Sequence, residues 1–458
     1  MNAEIFRKAE GVSSAWSSLS VRERGEIITR LGKSIVCRQV EISKTVALET
    51  GKSVTEVVSQ EITATLEMLK FFTKNYPRWL NDRRFRYLRP GFWRKSNIIV
   101  LEPLGLIGVI GPGNQPFSLP IMASSAGLLC GDTVLLKPSE RCPKTAEIIR
   151  SLGDEAGFPE GVFGVVTGGS ETACEIAAHP AVRKVIFFGS PPAGRQIAEV
   201  CGRHFKPCVL ELGGRNAAIV CRDADLKRAA HGLIWSAFSA AGKSCVAMKK
   251  VFVEASVFQD FVTLLCREMK AIRTGSVLDP STDVAPQNEP TDLELNFVPE
   301  ENARPDGPDL KPSLRVQKVA TIEQAVEEAN SYLSGLGASI WSRDLKKAGT
   351  IARRLRAGLV WVNDSSVGLP QFPWGGTRED GWGRLFAEPA LTELVNFKVI
   401  SVDRPAAAGR KFWWFPYSER KYQTLLALNE FLYGKKDLPN LISLSASLLR
   451  CYFRGVRR

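Results

Sequence analysis

Three short runs of apolar residues, separated by stretches of helical periodicity, constrain the fold of this 458-residue chain more than any other feature. The runs are residues 106–110, 133–136 and 184–188. Strands of a parallel sheet are covered by helices on both faces, so their sequences are apolar almost throughout. Alternation of such strands with helices predicts a doubly wound α/β fold. Since the length exceeds that of one ordinary domain, more than one domain is expected.

The composition indicates a cytoplasmic protein without a structural metal. The ten cysteines form no C-x-x-C pair and there are only three histidines, which argues against zinc and against a disulfide framework. Residues 1–10 carry charges of both signs with no apolar run after them, so no secretory signal is expected. The uncharged stretch 103–131 is long enough for a membrane span, but its four prolines and six glycines predict a buried strand, loop and helix instead.

Two residues stand out as candidates for chemistry. Glu211 ends an apolar run just before a Gly-Gly turn, and a carboxylate in apolar surroundings has a raised pKa that suits a general base. Cys245 follows a small-residue stretch and precedes an apolar, β-branched run, so a tight turn beside a strand would present its thiol to a ligand. Taken alone, any one of ten cysteines is more simply interpreted as a structural thiol.

Together the two motifs resemble those of the aldehyde dehydrogenase family, which read E-L-G-G-K around the glutamate and G-Q-x-C around the nucleophile. Here they read Glu211-Leu212-Gly213-Gly214-Arg215 and Gly242-Lys243-Ser244-Cys245, with 34 residues from Glu to Cys. The resemblance covers roughly residues 1–403 with one gap. It implies a Rossmann-type cofactor domain, an α/β catalytic domain and a small bridging or oligomerisation sheet.

The resemblance also implies a division of the chain. The expected parts are an NAD-binding domain (1–84 and 104–212), oligomerisation strands (85–103 and 394–403), a catalytic domain (213–393, shortened near 286–312) and a C-terminal basic amphipathic extension (404–458).

By the same resemblance, Cys245 is the nucleophile, Glu211 the base that activates water, and Asn114 the amide that donates to the oxyanion. The cofactor is expected to be NAD, with NADP as the second choice, because a carboxylate at position 140 disfavours a 2′-phosphate. Gln115 and Met122 are expected to face the substrate. No metal is implied. The residues expected to bind the cofactor are Pro112, Lys137, Glu140, Gly189, Ser190 and Gly213.

Each cofactor and oxyanion residue also has a local interpretation. Asn114 lies between prolines, where an asparagine commonly stabilises a turn. Ser190 followed by proline is a typical start of a helix, and an acidic residue such as Glu140 is favoured in a first helical turn. The resemblance, rather than any single motif, favours the catalytic interpretation.

The chain departs from the family pattern in four places. Gly113 replaces a tryptophan and Phe188 a threonine. The family's E-x-F-G-P segment aligns with residues 308–312, which contain no glutamate, so that only Asp306 or Asp309 would substitute. Residues 286–312 are predicted to form a loop, shorter than the family's by several dozen residues. These departures favour an alternative function, a degenerate paralogue that binds nucleotide or partner subunits without efficient turnover.

The last 55 residues carry most of the basic charge. Eleven Lys and Arg against three Asp and Glu give +8 of the chain's +13, so the body is only weakly basic and no nucleic-acid partner is expected. Five aromatic residues lie within 412–417, and two amphipathic helical patterns follow. Aromatic and basic residues together suit an anionic lipid surface, which predicts peripheral membrane contact through residues 412–458. The alternative is docking on the chain's own body or on a neighbouring subunit.

The expected function is therefore oxidation of a small-molecule aldehyde to a carboxylate with NAD(P), through a thiohemiacetal and a thioester on Cys245. The resemblance implies a homodimer or homotetramer. The composition predicts a cytoplasmic location, and the basic, aromatic tail predicts membrane association.

Overall fold

The fold was examined in a computed structural model that describes residues 3–85, 95–285, 294–297, 313–332, 334–403, 414–434, 442 and 445. The chain divides into two compact units, the first made of residues 1–81 and 101–398 and the second of residues 82–100 and 399–458. The strands, in chain order, are β1 (Arg83–Phe85), β2 (Lys95–Pro103), β3 (Leu106–Ile110), β4 (Thr133–Lys137), β5 (Phe163–Val165), β6 (Val182–Gly189), β7 (Cys208–Leu212), β8 (Asn216–Val220), β9 (Met248–Glu254), β10 (Glu294–Phe297), β11 (Ser313–Val319), β12 (Gly337–Trp341), β13 (Leu359–Val362), β14 (Gly381–Trp382) and β15 (Val395–Asp403).

The three apolar runs form neighbouring strands of one sheet, as predicted. Its order is β14-β7-β6-β3-β4-β5, and every pair is parallel except β14 with β7. All side chains of β3 and β4 are buried, as expected for strands covered on both faces. The antiparallel edge strand β14 comes from residues far along the chain, and the sequence did not indicate it.

A second six-stranded sheet is parallel throughout and has the order β10-β11-β9-β8-β12-β13. The prediction of a loop over residues 286–312 is wrong for the part that the structure describes. Residues Glu294–Phe297 form the edge strand β10, which pairs with Ser313–Val316 of β11. The four residues Glu-Leu-Asn-Phe alternate polar and apolar types, but so short a run among prolines and acidic residues is a weak sequence signal for a strand.

Helices cover both sheets. The helices predicted over residues 1–80 are present, and stretch 103–131 is a strand, a loop and a buried helix, as expected. No helix among the described residues is both long and apolar enough to cross a membrane. The α-helices are α1 (Ala3–Ser18), α2 (Val21–Cys37), α3 (Gln39–Thr50), α4 (Val54–Glu56), α5 (Ala64–Trp79), α6 (Ser118–Cys130), α7 (Pro143–Ala156), α8 (Ser170–Ala178), α9 (Pro191–Arg203), α10 (Leu226–Phe238), α11 (Phe258–Lys270), α12 (Ile322–Tyr332), α13 (Leu345–Arg354), α14 (Leu391–Leu394) and α15 (Glu419–Tyr433).

A π-helical segment, Val57–Thr63, joins α4 to α5 and carries a buried ion pair. Lys52 Nζ lies 2.7 Å from Glu61 Oε1, and the two side chains are 1% and 0% exposed. The other oxygen, Glu61 Oε2, accepts hydrogen bonds from the backbone N–H groups of Phe117 (3.1 Å) and Ser118 (2.8 Å) at the start of α6. The pair therefore fixes the end of the loop between β3 and α6.

A third sheet has the order β1-β2-β15, with β1 and β2 antiparallel. Strand β15 lies at its edge and exposes several large apolar side chains: Phe397, Val399, Ile400 and Val402. In the tail, α15 begins after Ser418, whose side chain accepts from Lys421 N. The predicted aromatic residues 412 and 413 and the second amphipathic pattern, over residues 441–453, lie outside the described residues except for Ile442 and Ser445.

Candidate active site

Cys245 lies in a tight loop just before β9, in the position that the sequence predicted. The chain leaves α10 through a short 3₁₀ turn in which Ala240 and Ala241 adopt φ angles of 50° and 51°. Left-handed backbone is unfavourable for alanine, so the loop must be held by its surroundings. The carboxylate of Glu56 accepts a hydrogen bond from Ala240 N at 2.7 Å, and the Asn216 side chain donates to Cys245 O at 2.8 Å.

The thiol of Cys245 is strongly biased toward its protonated form. Burial, followed by the nearby carboxylate of Glu211, raises the pKa of Cys245 to about 12. The backbone N–H groups of Cys245 and Val246 act in the opposite direction because they stabilise negative charge on sulfur. These N–H groups are suited to stabilising an oxyanion formed at this position.

Glu211 lies near the end of β7 and is 7% exposed. Burial raises its pKa well above the ordinary value. The positive charge of Arg384 lowers the pKa of Glu211, and the negative charge of Glu393 raises it. Its Oε1 has no hydrogen-bond partner among the described residues. This buried carboxyl group lies beside a cysteine and has one oxygen that accepts no hydrogen bond from the described residues. It therefore has the properties of a general base that can accept a proton from water.

Asn114 lies in the loop between β3 and α6. Its side-chain Nδ2 donates to Lys243 O at 2.8 Å, two residues before Cys245 in the chain. The amide that the sequence assigned to the oxyanion is thus directed at the nucleophile loop, although its observed acceptor is a backbone carbonyl. The turn-stabilising interpretation and the catalytic one are compatible, since an amide nitrogen carries two donors.

A cavity of about 850 Å³ brings the predicted residues together. It lies at the carboxyl ends of β3, β4, β6 and β7, where ligands of open α/β sheets bind. Its lining includes Cys245, Glu211 and Asn114 and every residue expected to bind the cofactor: Pro112, Lys137, Glu140, Gly189, Ser190 and Gly213.

The cavity has features that fit a dinucleotide. Lys137 Nζ lies 3.1 Å from Glu140 Oε2, and the Glu140 side chain is exposed, so its carboxylate is available to hydroxyl groups of a ribose. Ser190 accepts from Ala193 N and begins α9, whose N-terminus opens into the same cavity and suits a phosphate. A Cβ added at Gly213 would meet nothing within 4 Å, which leaves room for a ligand beside Glu211.

Sequence reasoning missed Asp380, another buried carboxyl group on this cavity. It accepts from Ser334 Oγ at 2.9 Å, while its Oδ1 has no partner among the described residues. Burial raises the pKa of Asp380 to about 6. No sequence signal indicated Asp380, because it reaches the site through β14, whose Gly381 pairs with Glu211 from far along the chain. Residues 306, 309 and 308–312, where the nicotinamide-ribose carboxylate was sought, lie outside the described residues.

A second cavity, of about 320 Å³, reaches Cys245 as well. Gln115 and Met122, which were expected to face the substrate, line it. Leu119, Ser244, Cys245 and Trp374 line both cavities, so the two meet at the thiol. One ligand can therefore approach the sulfur from each cavity.

Comparison with known proteins agrees with this geometry. The sequence profile of the aldehyde dehydrogenase family matches residues 2–296 and 311–400. The chain is 29% identical to the 4,4'-diapolycopene aldehyde oxidase of Methylomonas sp, over 94% of this chain and 87% of that protein. It is also 29% identical to the succinate-semialdehyde dehydrogenase (NADP(+)) of Deinococcus radiodurans, over 86% of this chain and 89% of that protein.

Solved structures with a similar fold were also found. PnpE from Pseudomonas sp. WBC-3 matches with a TM-score of 0.83 and 25% identity, over 89% of this chain and 91% of that one. The same protein in complex with nicotinamide adenine dinucleotide matches with a TM-score of 0.81. The α/β fold and the enzyme class predicted from the sequence are confirmed, and so is a nicotinamide cofactor. The chain belongs to the aldehyde dehydrogenase family.

Proposed function

We propose that this chain oxidises an aldehyde to a carboxylate with NAD, through a thiohemiacetal and then a thioester on Cys245. The observation that carries the proposal is the meeting of Cys245, Glu211 and Asn114 on one cavity with all six residues expected to hold the cofactor. Bound NAD would supply the hydride acceptor. The alternative, a degenerate paralogue that binds nucleotide or partner subunits without efficient turnover, is less favoured because Cys245, Glu211 and Asn114 all line the cavity.

The chain's own residues account for the remaining steps. The Cys245 sulfur forms a bond to the carbonyl carbon as its proton passes to water, and the Asn114 amide with the Cys245 N–H stabilises the oxyanion. After oxidation, Glu211 accepts a proton from water as the water oxygen attacks the thioester carbon. The carbon–sulfur bond then breaks, the departing sulfur takes the proton held by Glu211, and the acid loses its own proton to water and leaves as the carboxylate.

Aldehyde oxidation should depend on Cys245 in particular. Cys245→Ser is expected to abolish NADH formation while leaving NAD affinity nearly unchanged, because a serine hydroxyl ionises far less readily than a thiol and is a much poorer nucleophile. The measurement is absorbance at the NADH band together with NAD binding by fluorescence. Cys266→Ser on α11, away from both cavities, is the matched control and should keep full activity. Substantial turnover by the Cys245 variant would contradict the assignment.

The proposed role of Glu211 predicts that its loss slows thioester hydrolysis but not the formation of NADH and thioester. Glu211→Gln should still give a burst of NADH, but steady turnover should fall by about 10²–10⁴-fold, the usual value of general-base help. In the unmodified chain, hydrolysis should rise with pH through the Glu211 pKa, which burial has raised, because only the ionised carboxylate accepts a proton. Rapid-mixing and steady-state measurements across pH test both points; an unchanged steady-state rate would mean that another base acts.

The carboxylate of Glu140 supports a preference for NAD over NADP, since it would repel a 2′-phosphate. We expect Glu140→Gln to narrow the ratio of kcat/KM for the two cofactors by on the order of fivefold at low salt, because exposed charge interactions are worth up to about 1 kcal/mol. The measurement is kcat/KM with NAD and with NADP, for the unmodified chain and for Glu140→Gln. Equal kcat/KM for NAD and NADP in the unmodified chain would contradict the preference.

Two further features extend the proposal beyond the site. Strand β15 exposes apolar side chains along an unpaired edge, which favours pairing with a second copy in a homodimer or homotetramer.

In the tail, Trp414, Phe415 and Tyr417 are 53%, 72% and 69% exposed beside a chain segment rich in Lys and Arg. The match to the 4,4'-diapolycopene aldehyde oxidase extends past Asp403, since residues 1–403 are less than nine-tenths of this chain. A tail that contacts a membrane would suit an enzyme whose aldehyde substrate is lipophilic.

The tail should bring the protein to anionic lipid. Full-length protein is expected to float with vesicles that contain phosphatidylserine, and less so as salt rises, because each basic residue near the surface adds about 1 kcal/mol. A chain ending at Asp403 keeps β15 and should remain an oligomer by light scattering, yet stay with the soluble fraction. If the two chains float equally or not at all at low salt, the tail docks on protein instead.

A further inference from the structure

The second cavity at Cys245 identifies a substrate class. We propose that it binds the hydrocarbon chain of an uncharged, apolar aldehyde, an inference that rests on the proposed oxidation at Cys245. An aldehyde whose carbonyl carbon lies at the sulfur, with the cofactor in the larger cavity, must place the rest of its structure in the smaller one. The chemistry of that lining therefore selects the substrate.

Most of the lining is apolar. The Ser59 and Ser366 hydroxyls on it already donate to backbone carbonyls, to Glu56 O at 3.2 Å and to Val246 O at 2.9 Å. These two donors are therefore already used, whereas the buried Ser118 Oγ on the same lining has no partner among the described residues and is the one hydroxyl shown to lack a partner there. The apolar side chains of the lining are Ala64, Met68, Leu119, Met122, Trp235, Val246, Val367, Leu369, Pro370, Trp374 and Phe386.

The described lining contains no Lys, Arg or His, and Glu67 is its single charged residue. Glu67 is exposed and Trp235 is 45% exposed, which places both at the solvent end of the cavity. Met68, Met122 and Phe386 are 6%, 6% and 5% exposed and form its buried part. The far carboxylate of a semialdehyde would therefore be buried without a counter-charge or would face Glu67, and both arrangements are unfavourable.

The cavity is also large enough for a hydrocarbon chain. Its volume of about 320 Å³ is many times what one water-sized group needs, and its solvent end is open, so the volume sets no upper limit on chain length. Met68 and Met122 are unbranched and polarizable, so this surface adapts to chains of different shape. A linear or conjugated hydrocarbon is the complementary ligand.

The test is a comparison of aldehydes with the full-length enzyme and NAD. From propanal through hexanal to decanal, kcat/KM should rise about fourfold for each added methylene, the value of burying one such group. Decanal should exceed succinate semialdehyde and betaine aldehyde by at least a hundredfold. A preference for succinate semialdehyde would overturn the inference in favour of an anion site, and a preference for betaine aldehyde would overturn it in favour of an aromatic cation site. A flat series would also overturn it. Oxidation of none of these aldehydes would instead contradict the proposed function.

A variant of the cavity gives a second readout. Met122→Arg places a charge in the buried part of the lining and should lower kcat/KM for decanal by at least a hundredfold while improving succinate semialdehyde relative to decanal. Val40→Arg adds the same charge on the exposed side of α3, outside the lining of both cavities, and should leave kcat/KM for decanal unchanged. Unchanged NAD binding shows that both variants are folded. If Met122→Arg leaves the order of the aldehydes as it was, the hydrocarbon lies elsewhere and the inference fails.

Discussion

The buried ion pair between Lys52 and Glu61 is the interaction on which the catalytic geometry depends. Glu61 uses one oxygen for Lys52 and the other for two backbone N–H groups that begin α6, so it holds the loop that carries Asn114. Five residues earlier, Glu56 accepts from Ala240 N in the loop that carries Cys245. One short segment thus restrains both catalytic loops. Removing one member of such a pair typically costs about 3–5 kcal/mol, because the other charge stays buried alone.

The electrostatics of the site bias both Cys245 and Glu211 toward their protonated forms. Burial raises the pKa of the Cys245 thiol and of the Glu211 carboxyl, and the Glu211 charge would raise that of Cys245 further. In the proposed reaction each group would have to lose a proton before it acts, and positive charge brought by a bound molecule would favour that loss.

The sequence predicted the parts of this fold that depend on local pattern. Residues 106–110, 133–136 and 184–188 lie in adjacent buried strands, and Cys245 and Glu211 lie on one cavity, because apolar runs and short motifs carry their own signal. The roles of β10, β14, Asp380 and Glu61 could not be predicted. Each depends on a partner far along the chain, such as the pairing of Gly381 with Glu211, and such pairings leave no periodicity in either segment.

The meeting of two cavities at one sulfur also bears on the order of kinetic events. Exposed residues line each of them, Glu140 and Ser190 on one side and Glu67 and Trp235 on the other, so each reaches solvent by its own opening. In the proposed reaction, the reduced cofactor and the acid product would leave through different exits, and neither would have to wait for the other. Exchange of the cofactor would then be possible while the acyl group is still attached to Cys245, and slow departure of a hydrocarbon product would limit turnover without trapping the dinucleotide.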